Sequence, residues 1–122
     1  MRPLLLILAL LVFASGCAHT YYYPTGFPAD VAERFFFHLD TEARDRGLRT
    51  TRSETDLHVY AQGARIWYQI QGDEISAALV IANRKNATSN YYKNRREELE
   101  TLNEQLIAGA RRRAKKARDF AY

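Results

Sequence analysis

The chain has 122 residues, a formal net charge of +4 and 47% hydrophobic residues. Its single cysteine leaves no partner for an intramolecular disulfide. The length suits one ordinary small domain, and eight tyrosines, six phenylalanines and one tryptophan supply a core that needs neither disulfide nor metal.

Met1, Arg2 and Pro3 make a short basic start, residues 4–13 are an unbroken apolar run, and Ala14-Ser15-Gly16 leads into Cys17. As a helix this run covers about 15 Å, half of a hydrocarbon core of roughly 30 Å. It is therefore too short to span a bilayer. A basic start, a short apolar middle and a small-residue exit mark a secretory signal. Ala14-Ser15-Gly16-Cys17 resembles the lipobox of bacterial lipoproteins, departing from it at Ala14, where the family usually carries leucine. The resemblance implies cleavage before Cys17, a thioether-linked diacylglycerol on Cys17, and usually an acyl chain on its new amino group. Two or three acyl chains anchor durably where one does not. Because Ala18 follows, and not aspartate, the resemblance further implies the outer membrane, periplasmic face.

The expected organisation is a signal peptide over residues 1–16, a lipidated tether over 17–27, a domain over 28–110 and a basic helical tail over 111–122. In the tether, Tyr21, Tyr22 and Tyr23 suit either a lipid headgroup layer or packing on the domain. Residues 28–46 read as a first helix. Pro28 suits its first turn, Asp30 and Glu33 complement its dipole, and Val31 or Ala32, Phe35, Phe36, Leu39 and Ala43 recur at helical spacing. Gly47 then offers a left-handed cap, with Leu48 as its hydrophobic follower.

Gln62-Gly63 and Gly72-Asp73 read as two-residue hairpin turns. Taken together they pair Val59 with Ile66, Leu57 with Tyr68, Ile70 with Ile75, and Ile66 with Leu79. One sheet face is then almost wholly apolar. The other carries His58, Trp67 and Ala78 in one row and Tyr60, Arg65 and Val80 in the next. A slip of one residue would scramble this separation. A last helix starts near Ser89 or Asn90, with Asn94 and Glu97 offering an alternative capping box, and carries Tyr92, Leu99, Leu102, Leu106, Ile107 and Ala110 on one side. At about 46 Å for residues 89–119 against ~27 Å for an eight-residue strand, its final stretch should overhang the sheet. The expected fold is α+β: helix, three-stranded antiparallel meander, long C-terminal helix. That order resembles the double-stranded-RNA-binding domain in topology, but export removes that ligand, and topology does not carry function.

No catalytic or metal-binding motif stands out: there is no G-x-S-x-G, no H-E-x-x-H and no metal-ligand spacing among His19, His38 and His58. Neither cofactor nor enzymatic activity is expected. Asp56 and His58 point the same way on a strand, a pairing that also arises by chance on solvated faces. The row of His58, Tyr60, Arg65 and Trp67 has a composition that favours protein interfaces and sugar stacking, unless the last helix or the tether covers it. Arg111, Arg112, Arg113, Lys115, Lys116 and Arg118 stand against only Asp119. That run is either a solvated helix end or a contact for anionic lipid or peptidoglycan, with nucleic acid excluded by compartment. The functions left open are an envelope adaptor working through the Trp67 face, a binder of anionic envelope polymers or lipids working through the tail, and, as a contrast, an envelope hydrolase.

Overall fold

A computed structural model describes residues 18–119. The lipobox-like stretch with Cys17 and the apolar run before it lie outside the described residues, as does Phe120. The fold is α+β: an open five-stranded antiparallel sheet with two helices. The elements are β1 (Ala18–Pro28), α1 (Ala32–Asp45) entered through a 3₁₀ turn, β2 (Arg49–Arg52), β3 (Asp56–Ala61), β4 (Ala64–Gln71), β5 (Glu74–Ala82) and α2 (Ser89–Ala117). Spatial order is β1-β5-β4-β3-β2.

The two glycine turns set the register of the centre. Gly63 and Gly72 take φ of +70° and +64°, and the strands pair Val59 with Ile66, Leu57 with Tyr68, Ile66 with Leu79 and Ile70 with Ile75. The sheet is nevertheless larger than a three-stranded meander. β2 adds to β3, and β1 adds antiparallel to β5, so the double-stranded-RNA-binding order is lost.

The strand β1 replaces the expected tether. Its odd-numbered residues turn inward: Tyr21 and Tyr23 pack against the core, and Thr25 and Phe27 are buried. Its prolines, Pro24 and Pro28, are tolerated because β1 is an edge strand. Phe27 stacks on Phe35 with ring centres 4.1 Å apart, and the Thr25 hydroxyl donates to the Ile75 carbonyl at 2.7 Å. The tyrosine alternatives thus divide: Tyr21 and Tyr23 pack on the domain, while Tyr22 is 59% exposed.

Both helices cover one sheet face. Phe35, Phe36, Leu39 and Ala43 of α1 and Leu99, Leu106 and Ala110 of α2 share one core with Leu57, Val59, Ile66, Tyr68, Ile75, Ala77, Leu79 and Ile81. The end of α1 is a glycine cap: Gly47 at φ +80° lets its N–H reach the Arg44 carbonyl and the Leu48 N–H reach that of Ala43. Thr88 caps α2, its hydroxyl accepting the Tyr91 N–H at 3.3 Å.

The last turns of α2 do not project free, as they rest on α1. Ala110 and Ala114 are buried, and Arg113 pairs with Glu42 and Asp45. Asp119, just beyond the helix, joins Arg34 and His38. Contacts with α1, from Arg34 and His38 to Glu42 and Asp45, give the end of α2 a surface to lie on. Gly109 makes the approach close: a Cβ there would fall 2.3 Å from Cδ of Glu42.

Candidate functional site: the open face of the sheet

The face opposite the helices is built from the outward residues of all five strands. Pairing places Thr51, His58, Trp67, Ala78 and Tyr22 in one row across it. The next row is Arg49, Tyr60, Arg65, Val80 and Thr20. Asp56, Gln69, Ser76 and Pro24 make a third. The structure thus brings together the four residues His58, Tyr60, Arg65 and Trp67 expected from sequence, and neither helix covers them. Trp67 is half-buried, shielded by its neighbours along the row.

Flat groups stack along this surface. The His58 ring lies 5.3 Å from that of Trp67 at an interplanar angle of 11°, and 6.1 Å from Tyr60 at 14°. The Arg49 guanidinium lies 4.9 Å above the Tyr60 ring, and that of Arg65 lies 6.0 Å from Trp67. Such contacts are each worth about 0.5–1 kcal/mol at exposed sites. The row therefore stands as a preformed aromatic and cationic ridge. Ala78, wholly buried between Trp67 and Tyr22 in the row, leaves room for both large rings.

Asp56 orders the end of the ridge. Its Oδ2 accepts the Trp67 indole N–H at 3.1 Å and stands 3.5 Å from His58 Nε2, and its Oδ1 accepts the Ser53 hydroxyl at 2.6 Å. The Ser53 hydrogen bond, helped by those of Trp67 and His58, holds the Asp56 carboxyl below the usual carboxylate range against a smaller effect of burial. Three buried polar atoms of this face make no hydrogen bond within the chain: His58 Nδ1, Arg65 Nε and Ser76 Oγ. An unsatisfied buried donor or acceptor costs about 1–3 kcal/mol, a cost the folded domain carries beneath this face.

Among the described residues, no group of three or more His, Cys, Asp or Glu side chains could hold a metal ion. No described helix is long and apolar enough to cross a membrane. The sequence missed Tyr22, Thr51 and Arg49 as parts of the surface. The signal for Tyr22 was present, since residues 19–27 alternate outward and inward at the two-residue period of a strand.

The basic residues of the C-terminal run separate by role. Arg113 is tied to Glu42, its Nε lying 2.9 Å from Oε1, and to Asp45. Burial pulls the Glu42 carboxyl upward, yet the hydrogen bonds from Arg113 and Arg46 outweigh it and leave its pKa below the ordinary value. Arg111 lies 5.1 Å over the Phe27 ring. Arg112, Lys115, Lys116 and Arg118 stay exposed, Arg118 as the left-handed cap at φ +61°. These four project from the flank of a helix that rests on the domain along its length.

No protein-family model, no curated protein and no solved structure matches this chain.

Proposed function

We propose that this protein is a lipoprotein held by acyl chains on Cys17 to the periplasmic face of a bacterial outer membrane, where it acts as a non-catalytic binding or structural adaptor through the open face of its sheet. The observation that carries the binding role is the ridge of Tyr60, His58 and Trp67 with Arg65, preformed on a sheet face that neither helix covers. Aromatic and arginine side chains held in place before binding lose little freedom on binding, which is what makes them effective interface anchors. An envelope protein is the favoured partner. The envelope hydrolase gains nothing from the Asp56–His58 pair: with Nε2 turned toward Asp56, the other nitrogen of His58 is buried and presents no base to a substrate.

The test is affinity capture of the acylated protein from cross-linked envelopes, comparing wild type with Trp67→Ala and Arg65→Ser after circular dichroism confirms folding. Loss of one or more partners in both variants supports the adaptor reading. Capture of every partner by a folded Trp67→Ala protein would sink it.

A second reading rests on Arg112, Lys115, Lys116 and Arg118. The 29 residues of α2 set Ser89 and Ala117 about 42 Å apart at 1.5 Å per residue. The N-terminus of α2 lies beside β1's first residues, where His19 stacks on Tyr92 at 3.9 Å. An anchor on Cys17 would therefore point this cationic flank away from its own leaflet, toward polymer carboxylates such as those of peptidoglycan. Changing Arg112, Lys115 and Lys116 to Ser should abolish salt-sensitive sedimentation with purified sacculi. Arg113 is left intact because it holds α1.

A further inference from the structure

Three stretches far apart in sequence meet at the end of the sheet where β1 begins. Ala18 pairs with Ala82, the Ala82 N–H donates to the Gly63 carbonyl, and His19 stacks on Tyr92. The turn at Gln62-Gly63, the loop of residues 83–88 and the first two turns of α2 therefore form one surface. Residues 18–20, 60–66 and 82–96 contain Arg65, Arg84, Lys85, Lys93, Arg95 and Arg96, and no aspartate or glutamate. Carboxylates follow directly on α2, exposed Glu97, Glu98 paired with Arg95 and Glu100 paired with Arg96. Arg84, Lys85 and Lys93 are exposed. The opposite end mixes both signs, Asp30, Glu33, Asp73 and Glu74 lying there with Arg112, Lys115, Lys116 and Arg118, so the carboxylate-free cationic surface is particular to the end where β1 begins.

Tyrosines are set among these cations. Arg84 lies 5.2 Å over the Tyr91 ring, and the Tyr92 hydroxyl accepts the Arg84 N–H at 3.0 Å. Arg95 donates to the Gln62 carbonyl at 2.6 Å and borders a shallow groove with Gly63, Arg84 and Tyr91, where Glu98 is the one carboxylate. Tyrosine and arginine side by side suit a headgroup layer, one end of each being apolar and the other polar or charged. The stacking of His19 on Tyr92 clamps the start of β1 to the start of α2. The residue that precedes Ala18 in the sequence is Cys17.

We infer that the cationic pole formed by Arg84, Lys85, Lys93, Tyr91 and Tyr92 seats directly on a leaflet of anionic phospholipid, fixing the orientation of the domain on its membrane. The inference deepens the lipoprotein reading and rests on it for the anchor, while charge complementarity supports it independently. A domain merely tied at Cys17 would tumble about its attachment. One seated by this pole stands with α2 along the membrane normal, the open sheet face turned sideways, and Lys115 and Lys116 held away from the leaflet.

The four lysines of the chain divide two and two between the poles, Lys85 and Lys93 against Lys115 and Lys116, and serve as native reporters. The full chain, as purified from membranes, is placed on vesicles of phosphatidylcholine alone or with phosphatidylglycerol and treated with an amine-acylating reagent. Mass spectrometry then reads each lysine. On anionic vesicles Lys85 and Lys93 should react roughly threefold or more slowly than on neutral ones, with Lys115 and Lys116 unchanged. The protection should vanish at about 1 M salt, where the screening length is about 3 Å. Equal protection at both poles, protection of Lys115 and Lys116 alone, or no dependence on anionic lipid would overturn the inference. The intact mass reports separately whether Cys17 is acylated. An acylated protein without the pattern leaves the lipoprotein reading standing and removes this one. A non-acylated chain removes the anchor, and the pole must then protect Lys85 and Lys93 by itself on anionic vesicles or the inference falls.

Discussion

Trp67 donates its indole N–H to Asp56 Oδ2 at 3.1 Å across the β3–β4 pair, so the one tryptophan of the chain reads the charge of a single carboxylate. The Asp56 pKa lies below its ordinary 3.8 because Ser53 first, and Trp67 and His58 after it, stabilise the charged form. A folded-state value below the unfolded one means the carboxylate's contribution to stability is present in full above the unfolded pKa. It is lost as pH falls through the folded one. Tryptophan fluorescence should therefore shift with a midpoint below 3.8 in the folded protein. Asp56→Asn should abolish that transition, flatten the acid limb of the stability curve and cost about 1 kcal/mol at neutral pH. A midpoint above 3.8 in wild type, or one that survives in Asp56→Asn, would show that the indole reports another group.

Beneath the sheet, the Tyr68 hydroxyl donates to Asn103 Oδ1 at 2.6 Å. Tyr68 is wholly buried, and burial pushes its pKa far up, so the phenol stays neutral at any ordinary pH. Tyr68→Phe should cost about 1–3 kcal/mol in urea unfolding, because it strands an amide oxygen of a buried asparagine. Combining it with Asn103→Leu, which replaces both polar partners by apolar groups, should recover most of that loss. Additive losses would place the stabilising interaction of Asn103 elsewhere.

How much of this was legible in the sequence depended on where each residue's partner lay. The centre of the sheet was readable because two glycine turns independently assign Ile66 and Tyr68 to one face, and α1 because Phe35, Phe36 and Leu39 fall on one stripe. The outer strands were not. β1 follows a lipobox-like stretch and contains Pro24 and Pro28, features that read as tether, and only the alternation from His19 to Phe27 betrays it. β2, Arg-Thr-Thr-Arg, has no apolar residue to alternate. The candidate site was half legible: His58, Tyr60, Arg65 and Trp67 follow from the hairpin register, whereas Tyr22 and Thr51 enter only once the edge strands are in place. The C-terminal cations looked uniform along the chain, but Arg113 differs from its neighbours because Glu42 and Asp45 face it from α1.

The role of β1 can be measured by truncation. Phe27 is 1% exposed and stacked on Phe35, so Phe27→Ala should destabilise by about 3–5 kcal/mol. Tyr22→Ala, on the open face, should stay within about 1 kcal/mol and leave the fold intact. Equal, small effects in thermal unfolding would mean that residues 18–28 behave as a tether after all.

The contact between Gly109 and Glu42 joins the two helices, and its sign can be tested. A Cβ at residue 109 would lie 2.3 Å from Cδ of Glu42, a carboxylate held by Arg46 and Arg113 at 2.9 Å each. Elsewhere in a helix, glycine to alanine gains about 1 kcal/mol from backbone entropy. Here Gly109→Ala must push Glu42 off its two arginines, and the carboxylate is buried enough that losing them outweighs the gain. We expect a net loss of about 1 kcal/mol in the wild-type background. With Glu42→Ala already in place the obstacle is gone, and Gly109→Ala should become stabilising by up to about 1 kcal/mol. A double-mutant cycle measured by urea unfolding reads this reversal directly. If Gly109→Ala has the same sign in both backgrounds, the glycine is not there to admit Glu42, and the packing of α2 on α1 has another cause.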